Sequence, residues 1–214
     1  MGSETDRPRG RKRDSDATRA ALLAAARDLF GRHGYEAVTL RDIGERAGVD
    51  ASLIARYFGG KVAVYRSAVA EDTREVSASA QTLDLGSFTA YALHRADRRG
   101  APGPLVQALL SQSSAPEVRA SAADEMRTRL ISPLAGRLAA EGADDPEGRA
   151  EALISCLVGV IAMRSSGLFD GLSAMPPETI GAILEAAVQA HTQGGSTPGP
   201  AQCRQGSAPP VDEA

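Results

Sequence analysis

Residues 38–61, VTLRDIGERAGVDASLIARYFGGK, constrain the fold more than any other stretch of this 214-residue chain. Thr39 can cap a short helix from Leu40 to Ala47, and Asp42, three residues on, completes a Thr-x-x-Asp capping box. Gly48 supplies the left-handed residue that a tight helix exit needs, and Val49 closes the turn against the core. Asp50 then reads as the cap of a second helix running through Ala51 to about Phe58. Val38, Leu40, Ile43, Ala47, Val49, Leu53 and Ile54 fall on one apolar seam, which leaves Ala51, Ser52, Ala55 and Arg56 facing outward. Two short helices meeting at a glycine, the second presenting small residues outward near its start, fit a helix-turn-helix. Such a helix can approach the base edges of a DNA major groove.

The rest of the chain sorts into four regions. Residues 1–14 are a charged arm without an apolar pattern and are expected to be flexible. Residues 15–60 are expected to form a three-helix head. In its first helix Leu22, Ala26, Leu29, Phe30 and His33 recur at three- and four-residue steps, the pattern of one buried stripe. Residues 61–192 read as helical throughout, with no sustained strand alternation and no hairpin dipeptide between apolar runs. Breakers bracket helices at 61–80, 85–98, 105–113, 116–140, 146–167 and 177–192, and Pro133 is expected to kink or divide the fourth of these. Residues 193–214 are rich in Gly, Pro and Ser and read as a disordered tail. The expected fold is all-α: a helix-turn-helix domain followed by a larger helical domain.

Formal charge is only −3, yet it is unevenly spread. Through Lys61 there are 12 basic and 9 acidic residues, whereas the remainder has 12 basic and 18 acidic. A basic head on an acidic body suits a protein that meets phosphate at one end. Two cysteines, Cys156 and Cys203, cannot make a disulfide framework, and Cys156 reads as an inert core thiol in a reducing compartment. Residues 1–16 lack the apolar stretch of a secretory signal, and the apolar run 152–163 is shorter than the roughly 20 residues of a membrane span. A cytoplasmic location is expected. Nucleophile-elbow, zinc-protease, P-loop and Cys-x-x-Cys motifs are missing, and His33, His94 and His191 lie on separate expected helices. Neither catalysis, a metal site nor a cofactor is expected.

Three segments, TRAALLAAARDLFGRHG at 18–34, the adjoining GYEAVTLRDIGERAGVD and the corner Tyr57-Phe58-Gly59-Gly60-Lys61, resemble the TetR family of bacterial repressors. The resemblance departs at Ala55, where many members carry tyrosine, so no phosphate contact is implied there; the aromatic pair here is Tyr57-Phe58. It implies a homodimer whose last two long helices pack against their symmetry mates, binding of a palindromic double-stranded operator, and a small-molecule effector in the body. It also implies that Lys61 touches backbone phosphate. The helix at 146–167 suits an interface, being apolar almost all round from Ala152 to Met163 and thinned by Ala152, Cys156 and Gly159.

Candidate DNA contacts follow from residue chemistry and position. Arg7, Arg9, Arg11, Lys12 and Arg13 place five cations in seven residues; interleaved Pro8 and Gly10 would keep that arm extended for a minor groove, or it is a solvated tail adding unspecific attraction. Thr39 offers a hydroxyl and helix-start amides to phosphate, or is a structural cap alone. Arg41 and Arg56 are candidates for phosphate or guanine, Arg56 being the better base reader because it lies on the second helix. Ala51, Ser52 and Tyr57 complete the surface. Lys61 is one of only two lysines and opens a helix whose first amides favour an anion. In the body, Tyr91, Met126, Met163 and Phe169 are candidate ligand contacts or ordinary core. Arg164 requires a partner, with Glu125, Glu151 or an anionic ligand as candidates. The expected function is a ligand-responsive repressor; a ligand-independent or activating regulator, or a ligand-binding protein with a vestigial head, are the alternatives.

Overall fold

The computed structural model describes residues 7–111 and 116–193, with side chains from 13 to 111 and from 116 to 188. Every regular element among them is helical. The elements are α1 (Arg7–Ala37), α2 (Leu40–Ala47), α3 (Ser52–Phe58), α4 (Lys61–Ala80), α5 (Leu85–Arg99), α6 (Pro104–Leu110), α7 (Pro116–Met126), α8 (Ser132–Ala140), α9 (Pro146–Ser166), α10 (Asp170–Ala174) and α11 (Pro177–Gln193). Prolines open α6, α7, α9 and α11, where the missing N–H would have no intrahelical partner anyway. Between α7 and α8 the helix widens into a π-turn, Arg127–Ile131, in which Ser132 N–H reaches the Arg127 carbonyl. Pro133 explains that widening. In an unbroken α-helix its ring would crowd the carbonyl of Arg129, and one wider turn relieves the clash.

The core starts on α1. Leu22 and Phe30 are fully buried against α4, where Val64 and Tyr65 are equally enclosed, while Ile43 of α2 and Ile54 of α3 close the other side. Each such side chain contributes roughly 1.5–3 kcal/mol by leaving water. Phe30, Tyr35 and Tyr65 meet edge-on or stacked at centroid separations of 4.6–6.1 Å. Burial raises the Tyr65 phenol well above its usual range, so its hydroxyl stays a donor, and it reaches the Pro104 carbonyl at 3.2 Å. Farther along the body, α5 lies along α11 and α8 along α9. Gly181 permits the first contact, since a Cβ there would run into the Gly86 carbonyl.

An ion cluster fastens α1 to α4 and α5. Arg27 of α1 donates to both Glu75 oxygens at 2.7 and 2.6 Å. Asp72, only 3 % exposed, accepts from Arg95 at 2.6 Å and Arg99 at 2.9 Å, and Arg95 also bonds Glu75 at 2.6 Å. Arg27 lies 3.8 Å from Asp72. Three guanidinium groups thus share two carboxylates contributed by one face of α4. Burial alone would raise the Glu75 carboxyl, but hydrogen bonds and charge from Arg27 and Arg95 outweigh it and hold the pKa at about 2.

Several sequence expectations change. The backbone of residues 7–14, expected to be a flexible, extended arm, is helical from Arg7 onward. Pro8 is tolerated in a first turn, Arg and Lys are good helix formers, and one glycine costs only about 1 kcal/mol. His33 is exposed rather than buried: near its end α1 turns Gly31 toward Gly103 and Pro104 of the α6 entry, so the covered face has rotated away from His33. Cys156 is exposed and not a core thiol, because α9 meets α8 with its opposite side, where Ala150, Ile154 and Leu157 are buried. The helix expected at 105–113 ends at Leu110, and α10 was not anticipated. The expected tail lies outside the described residues apart from residue 193. No helix among those described is long and apolar enough to cross a membrane.

Two stability measurements test the cluster. Asp72→Ala strands buried guanidinium groups and lowers the unfolding free energy by roughly 3–5 kcal/mol in urea titrations. Glu75 has a folded pKa below its unfolded value, so its stabilisation is present above the usual glutamate range and is lost as pH falls toward about 2. Wild type is expected to melt above Glu75→Gln at neutral pH, with the difference shrinking only as the solution is acidified below about pH 4.5. A difference that stays constant down to pH 2 would contradict the assignment.

Candidate nucleic-acid interface

The α2–α3 corner is built by local chemistry. Thr39 N–H donates to Asp42 Oδ2 at 2.7 Å while Asp42 N–H donates to Thr39 Oγ1 at 3.2 Å, the reciprocal box expected from the spacing. The Thr39 amide and hydroxyl, both donating to Asp42 Oδ2, hold that carboxyl below its usual range. Gly48 is left-handed (φ 68°), and the N–H groups of Gly48 and Val49 return to the carbonyls of Glu45 and Gly44. Gly44 is needed for a separate reason. A Cβ there would lie 2.9 Å from the Val49 carbonyl oxygen and 3.0 Å from Ala51 Cα, so only glycine lets the start of α3 come this close.

Asp50 acts one residue earlier than expected. The residue immediately before α3 is Ala51, which makes no side-chain cap, while Asp50 Oδ1 accepts from Ser52 N–H at 2.7 Å. The first turn is tight, with Leu53 N–H bonded to the Asp50 carbonyl and Ile54 N–H to that of Ala51. Ser52 bonds also lower the Asp50 carboxyl. Below the turn, Val38, Ile43 and Ile54 are buried, with Leu40, Ala47, Val49 and Leu53 half-buried around them. Ser52, Ala55 and Arg56 are exposed, and Ala51 is partly so. The outer face of α3 is therefore open and small, with one guanidinium.

Other candidates flank this face. Arg41 is 84 % exposed on α2 and pairs with Glu45 at 2.7 Å, a contact screened enough to exchange readily for phosphate. Arg56 lies 5.9 Å from the centroid of the half-buried Tyr57 ring, and Arg19 of α1 sits over Phe58 at 5.0 Å. Lys61 has its ammonium 4.3 Å above the Tyr35 ring and 3.4 Å from the Glu36 carbonyl. It opens α4, whose start has no side-chain cap. Arg13 is exposed; side chains of Arg7, Arg9, Arg11 and Lys12 lie outside those described.

The candidate ligand residues are not brought together. Met126 is buried and lines an internal cavity, Tyr91 is half-buried, Met163 is exposed, and Phe169 is 55 % exposed. Arg164 pairs with neither expected glutamate. It makes a two-pronged bridge to Asp97 of α5 at 2.8 and 3.0 Å and donates to the Leu172 and Met175 carbonyls, tying α9 to α5 and to α10. Glu125 and Glu151 are taken by Arg129 and Arg127. The periodicity reading missed the Arg27–Asp72–Glu75–Arg95–Arg99 cluster. Its signal was present: Asp72/Glu75 and Arg95/Arg99 are spaced three and four apart on otherwise apolar helix faces. At the far side, α9 exposes Ala152, Ser155, Cys156 and Met163, and α11 exposes Ala182, Ile183 and Ala186. Leu168 and Phe169 lie exposed between them.

Comparison with known proteins agrees with this geometry. Residues 22–68 match the family model described as bacterial regulatory proteins, tetR family, and residues 85–191 match that of a tetracyclin repressor-like C-terminal domain. The chain is 36 % identical over 91 residues to the HTH-type transcriptional repressor KstR of Mycolicibacterium smegmatis, covering 42 % of this chain and 40 % of that protein. It is 42 % identical over 72 residues to the HTH-type transcriptional regulatory protein RaaS of Mycobacterium tuberculosis, covering 32 % and 34 %. These matches thus span less than half of each relative. In fold, a TetR transcriptional regulator from Legionella pneumophila superposes with a TM-score of 0.66 at 17 % identity, over 78 % of this chain and 95 % of that one.

Substitutions at the corner report on its geometry. Gly48→Ala forces a left-handed alanine and is expected to lower the unfolding free energy by roughly 1–2 kcal/mol in urea, with Gly48→Asn milder because asparagine tolerates that conformation. Gly44→Val is expected to displace the start of α3, read as amide shift changes over residues 49–56 that Gly48→Asn does not produce.

Proposed function

The chain belongs to the TetR family of bacterial regulatory proteins, and we propose that it binds duplex DNA sequence-specifically as a homodimer, repressing transcription until a small-molecule effector enters its helical body. One observation carries the reading: the outer face of α3 is uncovered and small while its inner face is locked by caps, turn and core. A helix held this way can enter a major groove without a side-chain clash. In this reading Arg56 reads a base, and Ala51 and Ser52 approach the groove wall. Thr39, Arg41, Tyr57 and Lys61 hold phosphate. Lys61 exchanges a ring and a carbonyl for a phosphate oxygen beside the uncapped start of α4. Arg7, Arg9, Arg11, Lys12 and Arg13, carried on the extension of α1, add further phosphate neutralisation.

The uncovered small-residue faces of α9 and α11, with Leu168, Phe169 and Ile183 exposed beside them, suit a two-fold interface between copies. Two α3 helices then address two half-sites of an inverted repeat. Repression is favoured over activation because the relative with 36 % identity is described as a repressor. Release needs an effector that prefers the unbound geometry; moving a population from 1:99 to 99:1 requires about 5.5 kcal/mol of differential affinity.

Electrophoretic shifts with DNA upstream of the chain's own gene, titrated with salt, test this. Arg56→Ala is expected to cost about 1–3 kcal/mol and to relax preference at one base position. Lys61→Ala weakens all sequences evenly and lowers the salt slope by about one. Unchanged specific binding in both variants would overturn the residue roles, and no shift by wild type would overturn the reading.

A further inference from the structure

The carboxylate face of α4 has a second neighbour besides α1. Asp72, Arg95 and Arg99 form one end wall of an internal cavity of about 40 Å³ whose other walls include Val76, Met126, Leu157 and Ile161. Phe88, Leu130 and Ile154 stand between this cavity and a second gap of about 20 Å³ that runs on toward Leu134. The two spaces together make an elongated, mainly apolar site, with the Asp72–Arg95–Arg99 group at one end and Arg137, which donates to the Ala80 and Leu83 carbonyls, at the other. As it stands it has room for only a few water molecules, far below the roughly 300–1,000 Å³ of an occupied ligand pocket. A ligand that fills both spaces must displace the three dividing side chains.

The wall also selects a charge. Donors exceed acceptors: three guanidinium groups face two carboxylates. Asp72 Oδ1 already accepts two bonds and both oxygens of Glu75 are engaged, while Asp72 Oδ2 lies beside Gly103 near Arg99. Arg99 Nη1 is buried beside Gly103 with no acceptor; Arg27 Nε is also buried without one, though Arg27 stands behind the cavity-lining residues. A buried donor without a partner is costly, and an incoming anion relieves that cost whereas a cation adds to it.

We infer that the effector site of this chain takes an amphipathic anion, with a carboxylate or phosphate head bonded by Arg99 and Arg95 and an apolar chain lying past Phe88, Leu130 and Ile154. This rests on the effector-responsive reading above and gives it a chemical class and a route. An anion that engages Arg95 and Arg99 competes with Asp72 and Glu75 for them. Those two carboxylates are also the ones that hold Arg27 of α1, so the exchange reaches the helix that carries the α2–α3 corner. Head-group binding and a change in the hold on α1 are then one event.

The test uses the full chain and four probes of equal chain length: octanoate, octyl phosphate, octanol and octylammonium. Calorimetry is expected to give at least about tenfold tighter binding for an anion than for octanol, with octylammonium weakest. The tighter of the two anions identifies the head group. Arg99→Gln is expected to bring the anion down to the level of octanol, while Arg99→Lys keeps an anion preference. Should Arg99→Gln fail to fold, amide exchange in wild type decides: the bound anion is expected to alter exchange at residues 72–76 and 95–99 and in α1 around Arg27. Equal binding of octanol, stronger binding of octylammonium, absence of anion binding, or exchange changes confined elsewhere would each overturn the inference. DNA binding is measured separately without probe. An anion preference without DNA binding would leave this site standing and remove the regulator reading; DNA binding without an anion preference would do the reverse.

Discussion

Five charged side chains hold this molecule's two ends in register. Arg27 comes from the helix that supports the α2–α3 corner, Asp72 and Glu75 from α4, and Arg95 and Arg99 from the helix along which α11 lies. Such a cluster is a poor source of net stability, because desolvating the ions offsets much of their attraction. Its value is directional. Burial of apolar surface is non-directional, whereas a two-pronged Arg27–Glu75 contact fixes position and angle together. The Phe30–Tyr35–Tyr65 group and the Tyr65–Pro104 bond secure the same junction from the other side.

On that anchored base the corner itself is nearly self-contained. Thr39 and Asp42 start α2, Gly48 ends it, Gly44 admits α3, and Asp50 sets the first turn of α3. Each device acts over a few residues, so the direction of α3 is settled locally and its outer face is left for something else. Only Gly59 and Gly60 separate α3 from α4, and Lys61, the first residue of α4, lies over Tyr35 of α1. A displacement of α4 therefore cannot leave the corner where it was. That linkage is what would let a ligand in the body alter the spacing of two reading helices across a dimer.

Short-range chemistry was the part most legible in the sequence. The capping box, the glycine turn, the seam of Val38, Ile43 and Ile54, the break near Pro133 and the all-helical body follow from spacing and residue type, and the structure has them. What failed depended on which neighbour arrives at a given face. His33 sits on a correctly periodic stripe, but α6 covers the adjacent face through Gly31. Cys156 lies in an apolar run whose Ile154, Leu157 and Ile161 are buried, but it points from the opposite, exposed side of α9. Arg164 was correctly seen as needing a partner, yet that partner, Asp97, is on a helix whose approach no local pattern reveals. The ion cluster joins three helices distant in sequence, so its members look like ordinary surface charges until packing brings them together. The exposure of Arg41, Ser52, Ala55 and Arg56 follows from the same helical periodicity.

The central claim is that two copies of α3 read duplex DNA across a two-fold axis. Selection from a random duplex library by the full-length chain tests it most directly, because it presumes neither operator nor effector. The account predicts enrichment of an inverted repeat whose half-sites lie on one face of the duplex, spaced by about one helical turn or a multiple of it. A pool that stays random through successive rounds, or one that converges on a single asymmetric site, would contradict it.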